Sequence, residues 1–375
     1  MSSYCIRCSL KLGHPDIAFD ATGTCTICQG KVDDRYLQQY RSVKKTYEAF
    51  AREPPNPLGS YDCLFMLSGG KDSIWMLDRM LSEGKKRILA YTYNQPFESD
   101  KAVENVELVL DRLPVHHIQF SDKVRHTKVL AQAFAKAPPR VLPKEKLPCM
   151  LCNMSMKIHA LLFAAQLRIP YVLFCADPVQ IVSSEISVRT MVETLEESLG
   201  LPLLTELFGA SFGVLRGKPD DALPRLVFPF VALPVRLYDP DRICRELTDK
   251  GLYQSNPVET HCSLFPLLNY YSYTNYDCHF YAREIANKVR NGELPRQVAL
   301  DLDQEFRHVM LRVVGKPLLN EEDRASVRRV STLLASLFTD SERTADHLFD
   351  MLVSSRRIAD DLGIALEALQ LATRS

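Results

Sequence analysis

The stretch Leu67-Ser68-Gly69-Gly70-Lys71-Asp72-Ser73 constrains this chain more than any other. The apolar run Cys63-Leu64-Phe65-Met66-Leu67 leads into it and reads as a buried parallel strand. After it, Ile74-Trp75-Met76-Leu77-Asp78-Arg79-Met80-Leu81 is apolar at nearly every inward position of a helix. A strand, a glycine turn and a helix together cradle an anion. Two glycines let the backbone turn without a Cβ clash, so successive N–H groups can point at one phosphate. The helix presents its positive end to the same place. Lys71 adds a point charge, and Ser68 and Ser73 add hydroxyls. A Ser/Gly-rich turn that merely caps a helix is the plainer use of such a stretch, but it seldom carries Lys-Asp-Ser as well.

A chain of 375 residues can bury a large core and carry one or two smaller modules. Lys+Arg and Asp+Glu both number 46, so no global basic field exists to hold a large RNA. That balance favours a small substrate over tRNA. No apolar run approaches the length that spans a bilayer, and the first residues lack a signal-peptide core, which points to the cytoplasm and to no membrane. The 11 cysteines are then metal ligands, reactive thiols or small core residues rather than a disulfide framework.

Four segments are expected. Residues 1–30 carry Cys5-x-x-Cys8 and Cys25-x-x-Cys28. Two such knuckles can place four thiolates around one Zn²⁺, and so short a segment would owe its folding to the metal. A redox pair or a cluster at these cysteines is the alternative. Residues 31–60 read as an amphipathic helix (Tyr36, Leu37, Tyr40, Val43, Tyr47, Phe50) and a proline-marked linker, Pro54-Pro55-Asn56-Pro57. From 61 to 283 strands and helices alternate, which predicts an α/β fold, a parallel sheet with helices on both faces. Ligands in such sheets bind at the carboxyl ends of strands, which selects 68–73, Tyr91-Thr92-Tyr93-Asn94 and Ala176-Asp177. The glycines and prolines of 181–230 suggest a loop-rich insertion over that site, followed by a last strand over 225–230. Residues 284–375 read as a helical C-terminal domain whose stripe (Val327, Val330, Leu333, Leu334, Leu337) suits a core or a homodimer surface.

A second constellation is Pro148-Cys149-Met150-Leu151-Cys152, at the start of a helix expected from near Cys152 to Leu167. A helix N-terminus lowers thiol pKa, which makes both cysteines candidates for reactive or ligating thiolates. Two thiolates do not complete a metal site. Cys262, in Thr260-His261-Cys262-Ser263, has the most suggestive setting for a third; Cys244 and Cys278 could replace it. Cys63 and Cys175 lie in apolar runs and read as inert core.

The loop Ser68-Gly69-Gly70-Lys71-Asp72-Ser73 resembles the signature of the PP-loop ATP pyrophosphatases. The resemblance implies that ATP and Mg²⁺ bind at Ser68, Gly69, Gly70, Lys71, Asp72 and Ser73; the strand-end argument adds Tyr91, Thr92 and Asp177 to the ATP site, and Asp72 or Asp177 would help hold the metal. The resemblance also implies transfer of AMP to a substrate oxygen, with Lys71 and Asp72 in catalytic roles. In PP-loop enzymes that thiolate tRNA bases, a CxxC and a distant cysteine hold a [4Fe–4S] cluster with one open iron. Cys149, Cys152 and Cys262 would be those ligands here. A persulfide relay, or a structural zinc shared with another pair, would use the same cysteines. The ribbon pattern, Tyr61-Asp62-Cys63 and the stretch from Arg290 to Leu300 resemble instead the N-acetyl sugar amidotransferases, which make an amidine from ammonia. The reading carried forward is adenylation of a carbonyl on a nucleotide-like small molecule, then sulfur insertion. A partner protein would supply sulfide or, for the amidotransferase alternative, ammonia; a tRNA thiolase is the third reading.

Overall fold

The computed structural model describes residues 3–12, 17–30, 34–96, 98, 100–136, 147–176, 187–209, 211–219, 222–232, 239–254, 272–273, 277–279, 282–290, 292 and 294–312. The chain divides into two compact units, Asp33–Asn256 and the pair Met1–Val32 with Pro257–Ser375. The helical stripe expected at 327–337 lies outside the described residues.

The first unit is built on five parallel strands: β1 (Cys63–Met66), β2 (Ile88–Asn94), β3 (His116–Ser121), β4 (Tyr171–Leu173) and β5 (Arg225–Val227), in the order β3-β2-β1-β4-β5. Central β1 is buried along its whole length, so its run is apolar without alternation, whereas edge strand β3 carries His116, His117 and Gln119. The order reverses at β1. Chain leaves β1 toward β2 in one direction, and β4 lies on its other side, so a crevice opens at the carboxyl ends of β1 and β4.

Helices α1 (Asp34–Arg52), α2 (Lys71–Glu83), α3 (Asp100–Arg112) and α9 (Pro240–Asp249) share one apolar cluster with the sheet, through Phe50, Ile74, Leu77, Val106, Val109, Ile243 and Leu247 packed on Phe65, Leu67, Ala90, Leu173 and Val227. Each Leu, Ile or Phe removed from water there contributes roughly 1.5–3 kcal/mol. α4 (Lys123–Lys136) and α5 (Leu147–Gln166) follow β3, and α5 packs on β1, β2 and β4. Gly84 ends α2 in the left-handed region and returns its N–H to Met80 and Leu81 carbonyls. Asp239 caps α9 by accepting Arg242 N–H at 2.9 Å.

Two expectations need correction. Residues 181–230 are not loop-rich where described: α6 (Val188–Leu199), α7 (Leu201–Phe208) and α8 (Ser211–Gly217) fill much of that stretch. Gly200, Gly209 and Gly217 stand at helix boundaries, and the buried faces (Met191, Leu195, Leu204, Leu207, Phe208) make these packed helices. The last strand stops at Val227, because Pro229 cannot donate to a ladder and opens a 3₁₀ turn, Pro229–Ala232.

At the amino ends of β1 and β2 one carboxylate ties three segments together. Asp62 accepts from Arg87 N–H at 2.7 Å, the Arg87 guanidinium at 2.7 Å and Asn56 N–H at 2.6 Å. Burial alone would raise its pKa, but these donors outweigh burial and hold the carboxyl below its ordinary value.

Candidate functional site

The loop after β1 has the geometry an anion cradle needs. Gly69 adopts φ +72°, and a Cβ there would lie 2.0 Å from the Ala102 carbonyl oxygen, so only glycine fits. Asn105, fully buried on α3, donates to Gly69 O at 3.2 Å and accepts Gln254 N–H at 2.8 Å. Gly70 is the N-cap of α2 and makes no side-chain cap bond. The first N–H groups of α2, at Lys71, Asp72 and Ser73, therefore follow an N-cap residue that has no side chain to accept from them. Ser73 Oγ donates to Gly70 O at 2.9 Å and lies 3.2 Å from Ser68 Oγ, which fixes the turn from within. Lys71 is buried and its Nζ stands 3.3 Å from Asp72.

Neighbouring strand ends close on this loop. Thr92 donates to Leu67 O at 2.8 Å and meets His117 Nε2 at 2.9 Å, so β2 holds the residue that enters the turn. Tyr91 and Tyr93 point to the α5 side of the sheet, where Tyr91 lies against Phe163 and Tyr93 stacks on Phe120 and His159. Beyond β4, burial and the charge of nearby Asp72 both push the Cys175 thiol up. Asp177 lies outside the described residues.

The second constellation is only half visible. α5 begins at Leu147 rather than near Cys152, so both Cys149 and Cys152 lie inside its first two turns. Cys152 is buried, with Sγ 3.1 Å from His126 Nε2; His126 Nδ1 is 2.8 Å from Tyr93 Oη. Burial lowers the His126 pKa to about 4, so at neutral pH the ring is uncharged and one of its two contacts must supply a proton. The Cys149 side chain and all of Cys262 lie outside the described residues. Of the two substitutes for Cys262, Cys244 packs against the core of the sheet unit, and Cys278 packs among the ribbon cysteines. Cys63 is buried in β1, and burial pushes its thiol up, as an inert core residue requires.

Sequence reading missed three residues. Asn105 and His126 carry no local signal, because each acts across a long stretch of chain. Lys157 is fully buried on α5, with Nζ 4.0 Å from the Phe174 ring centre and 5.7 Å from that of Phe228, the residues that follow β4 and β5. A lysine inside an apolar helix face was its only signal.

In the other unit, Cys5, Cys8, Cys25 and Cys28 place their sulfurs within 4.8 Å of one another. They are the one such set of metal-ligating groups among the described residues. Cys25 N–H donates to Cys5 Sγ at 3.3 Å. Burial raises the Cys5 pKa, but N–H donors from Cys25, Arg7 and Cys8 outweigh it and bring the thiol down to about 6. Four soft sulfurs at this spacing suit a tetrahedral metal, and a closed four-thiolate set leaves no position for a substrate. Arg296 donates to Cys5 O at 2.8 Å and Cys8 O at 3.0 Å, and Tyr4 and Tyr273 donate to Asp303 at 2.8 and 2.9 Å. The ribbon is thus built together with the helices Ala282–Arg290 and Arg296–Arg312.

No described helix is long and apolar enough to cross a membrane. No family model matches the chain, and no curated protein matches it. Among solved structures, the U34-tRNA thiolase NcsA from Methanococcus maripaludis, with its [4Fe-4S] cluster, is similar at 10% identity and a TM-score of 0.34, over 84% of this chain and 90% of that one. NMN synthetase from Francisella tularensis is similar at 13% identity and a TM-score of 0.29, over 70% of this chain and 95% of that one. Likeness this distant bears on neither substrate nor cofactor.

Proposed function

We propose that this protein is a PP-loop enzyme that uses ATP to activate a carbonyl oxygen of a small, nucleotide-like molecule and then replaces that oxygen with sulfur. The observation that carries the reading is the loop at 68–73, where a left-handed Gly69 and the N-terminus of α2 make an anion cradle with Lys71 at its side. ATP phosphates would rest on these N–H groups, and Asp72 or Asp177 would help hold Mg²⁺. A substrate carbonyl oxygen attacks the α-phosphorus, pyrophosphate leaves, and Lys71 offsets the charge that develops. A sulfur nucleophile then adds to the activated carbon, and AMP leaves with the former carbonyl oxygen. Sulfur in place of nitrogen is supported by Cys152, a buried thiol in contact with a neutral histidine on the unit that carries the loop.

A [4Fe–4S] cluster on Cys149, Cys152 and Cys262 would supply an open iron for sulfide when bound. The protein's own part is to keep Cys152 dry and oriented: His126 fixes its Sγ, and Tyr93 fixes His126. Zn²⁺ on Cys5, Cys8, Cys25 and Cys28 would be structural. The amidotransferase alternative draws on that ribbon and its sequence pattern, with ammonia from a partner. A mass-shift assay with ATP, a panel of nucleotides and acetamido sugars, and either sulfide or ammonium separates the two. Product heavier by the difference between sulfur and oxygen is expected; product in which NH has replaced oxygen would refute the sulfur reading.

A further inference from the structure

One face of α2 borders open space rather than the sheet. Trp75, Arg79 and Glu83 stand at four-residue spacing with Met76 and Met80 beside them, so all five share a side of the helix. Opposite them α1 presents Tyr47, Phe50 and Ala51, at three- and four-residue spacing. α1 packs on the Pro229–Ala232 turn, and between the two helices a cavity of about 250 Å³ remains, lined also by Pro229 and Ala232. Small-molecule sites commonly run from roughly 300 to 1,000 Å³, so this one suits a ligand built on a single ring.

The aromatic wall is fixed in place. Trp75 Nε1 donates to Glu246 Oε2 at 2.8 Å, and its ring stacks on Phe230 with centroids 5.9 Å apart. Phe50 meets Tyr171 edge-on at 5.1 Å. A wall already ordered loses little freedom when a ligand arrives. The charged groups of the lining are unbalanced: Arg79, Lys85 and Lys86 face one carboxylate, Glu83. Glu83 lies 3.5 Å from Arg79 Nε and 3.6 Å from Lys85 Nζ, both beyond ordinary N–H···O length, so it is shared loosely between two cations. Lys86 Nζ donates to Glu53 O at 2.6 Å, which occupies one of its three N–H donors. Two positive charges are therefore in excess beside an apolar wall. We infer that the cavity between α1 and α2 binds a small ring-bearing anion, its ring against Tyr47, Phe50 and Trp75 and its carboxylate or phosphate on Arg79, Lys85 and Lys86. Burial of the ring supplies the attraction that exposed cations alone lack, and the cations select for charge. The inference does not depend on the ATP reading, because none of residues 68–73 lines this cavity.

Trp75 is the only tryptophan in the chain, so its emission reports on the cavity directly. The full-length protein, without ATP, is titrated with phenylacetate, phenyl phosphate and benzyl alcohol, with Trp75 excited where these probes do not absorb and the affinities repeated by calorimetry. A saturable change is expected with at least one anion, at an affinity about tenfold or more above that for the neutral alcohol. The tighter of the two anions identifies the headgroup as carboxylate or phosphate. Arg79→Glu should weaken anion binding by about tenfold or more. Ala51→Phe, at an exposed position on the cavity wall, should abolish binding by filling the space, and it carries the test should Arg79→Glu fail to fold. No saturable change with either anion overturns the site. So does benzyl alcohol binding as tightly as the anions, or anion affinity unchanged in either folded variant.

Discussion

The two ends of the parallel sheet treat their polar groups in opposite ways. At the amino ends of β1 and β2, buried Asp62 is surrounded by donors from Arg87 and Asn56. At the carboxyl end of β2, Asn94, Gln95 and Glu98 bury oxygens that meet no partner among the described residues. Gly69, one strand over, holds a conformation that only its neighbours enforce. Paired groups lower the free energy of the fold; unpaired ones raise it. One end holds the sheet together; the other keeps acceptors buried at a free-energy cost.

Substitutions can break or sharpen that contrast, and the largest effect is expected in the cradle. Lys71→Ala removes the cation beside the loop and should slow ATP-dependent pyrophosphate release by about 10³-fold, roughly 4 kcal/mol, with little change in melting temperature. Gly69→Ala drives a Cβ into the Ala102 carbonyl and forces a side chain into the left-handed region; release should fall below detection, and stability should drop by about 3 kcal/mol in urea unfolding.

At the opposite end Asp62→Ala should leave catalysis intact where the fold survives, yet destabilise by about 2–4 kcal/mol because two N–H groups and a guanidinium lose their acceptor. Its folded pKa lies below the unfolded one, so this contribution is present above the ordinary carboxylate pKa and is lost as pH falls through the folded value. The gap between mutant and wild type should narrow in acid.

Glu98→Gln should do the reverse. The folded pKa is raised to about 7, so the native state binds the proton more tightly and wild-type stability declines as pH rises from about 4.5 toward 7. The variant lacks that decline and should be more stable than wild type by roughly 3 kcal/mol at pH 8, with the difference gone near pH 4.5. Equal stabilities at pH 8 would mean that the two ends of the sheet do not differ as described.

Much of the cradle was legible from residues alone because its chemistry is local. An apolar run makes the central strand, two glycines make the turn, and inward apolar spacing makes α2, all within one short stretch. The paired CxxC knuckles were legible for the same reason, since ligand spacing is a sequence property. The start of α5 was misjudged because Leu147 and Pro148 continue no clear period, and Pro is tolerated only in a helix's first turn. The stretch 188–217 was misread because its glycines and prolines punctuate short helices as readily as they make loops.

By itself, then, the sequence determined where the glycine turn between strand and helix lies, which strands alternate with helices around it, and which four cysteines share a site. Only the tertiary structure decided that Gly69 is locked by Ala102 and Asn105, and that His126 stands against Cys152. It alone also decided that the ribbon is built with Cys278, Ala282 and Ala286 from the far end of the chain. The reason is physical: periodicity and turn chemistry act over a few residues, whereas these contacts join residues 26 to nearly 300 positions apart and arise only when the sheet and the ribbon bring them together.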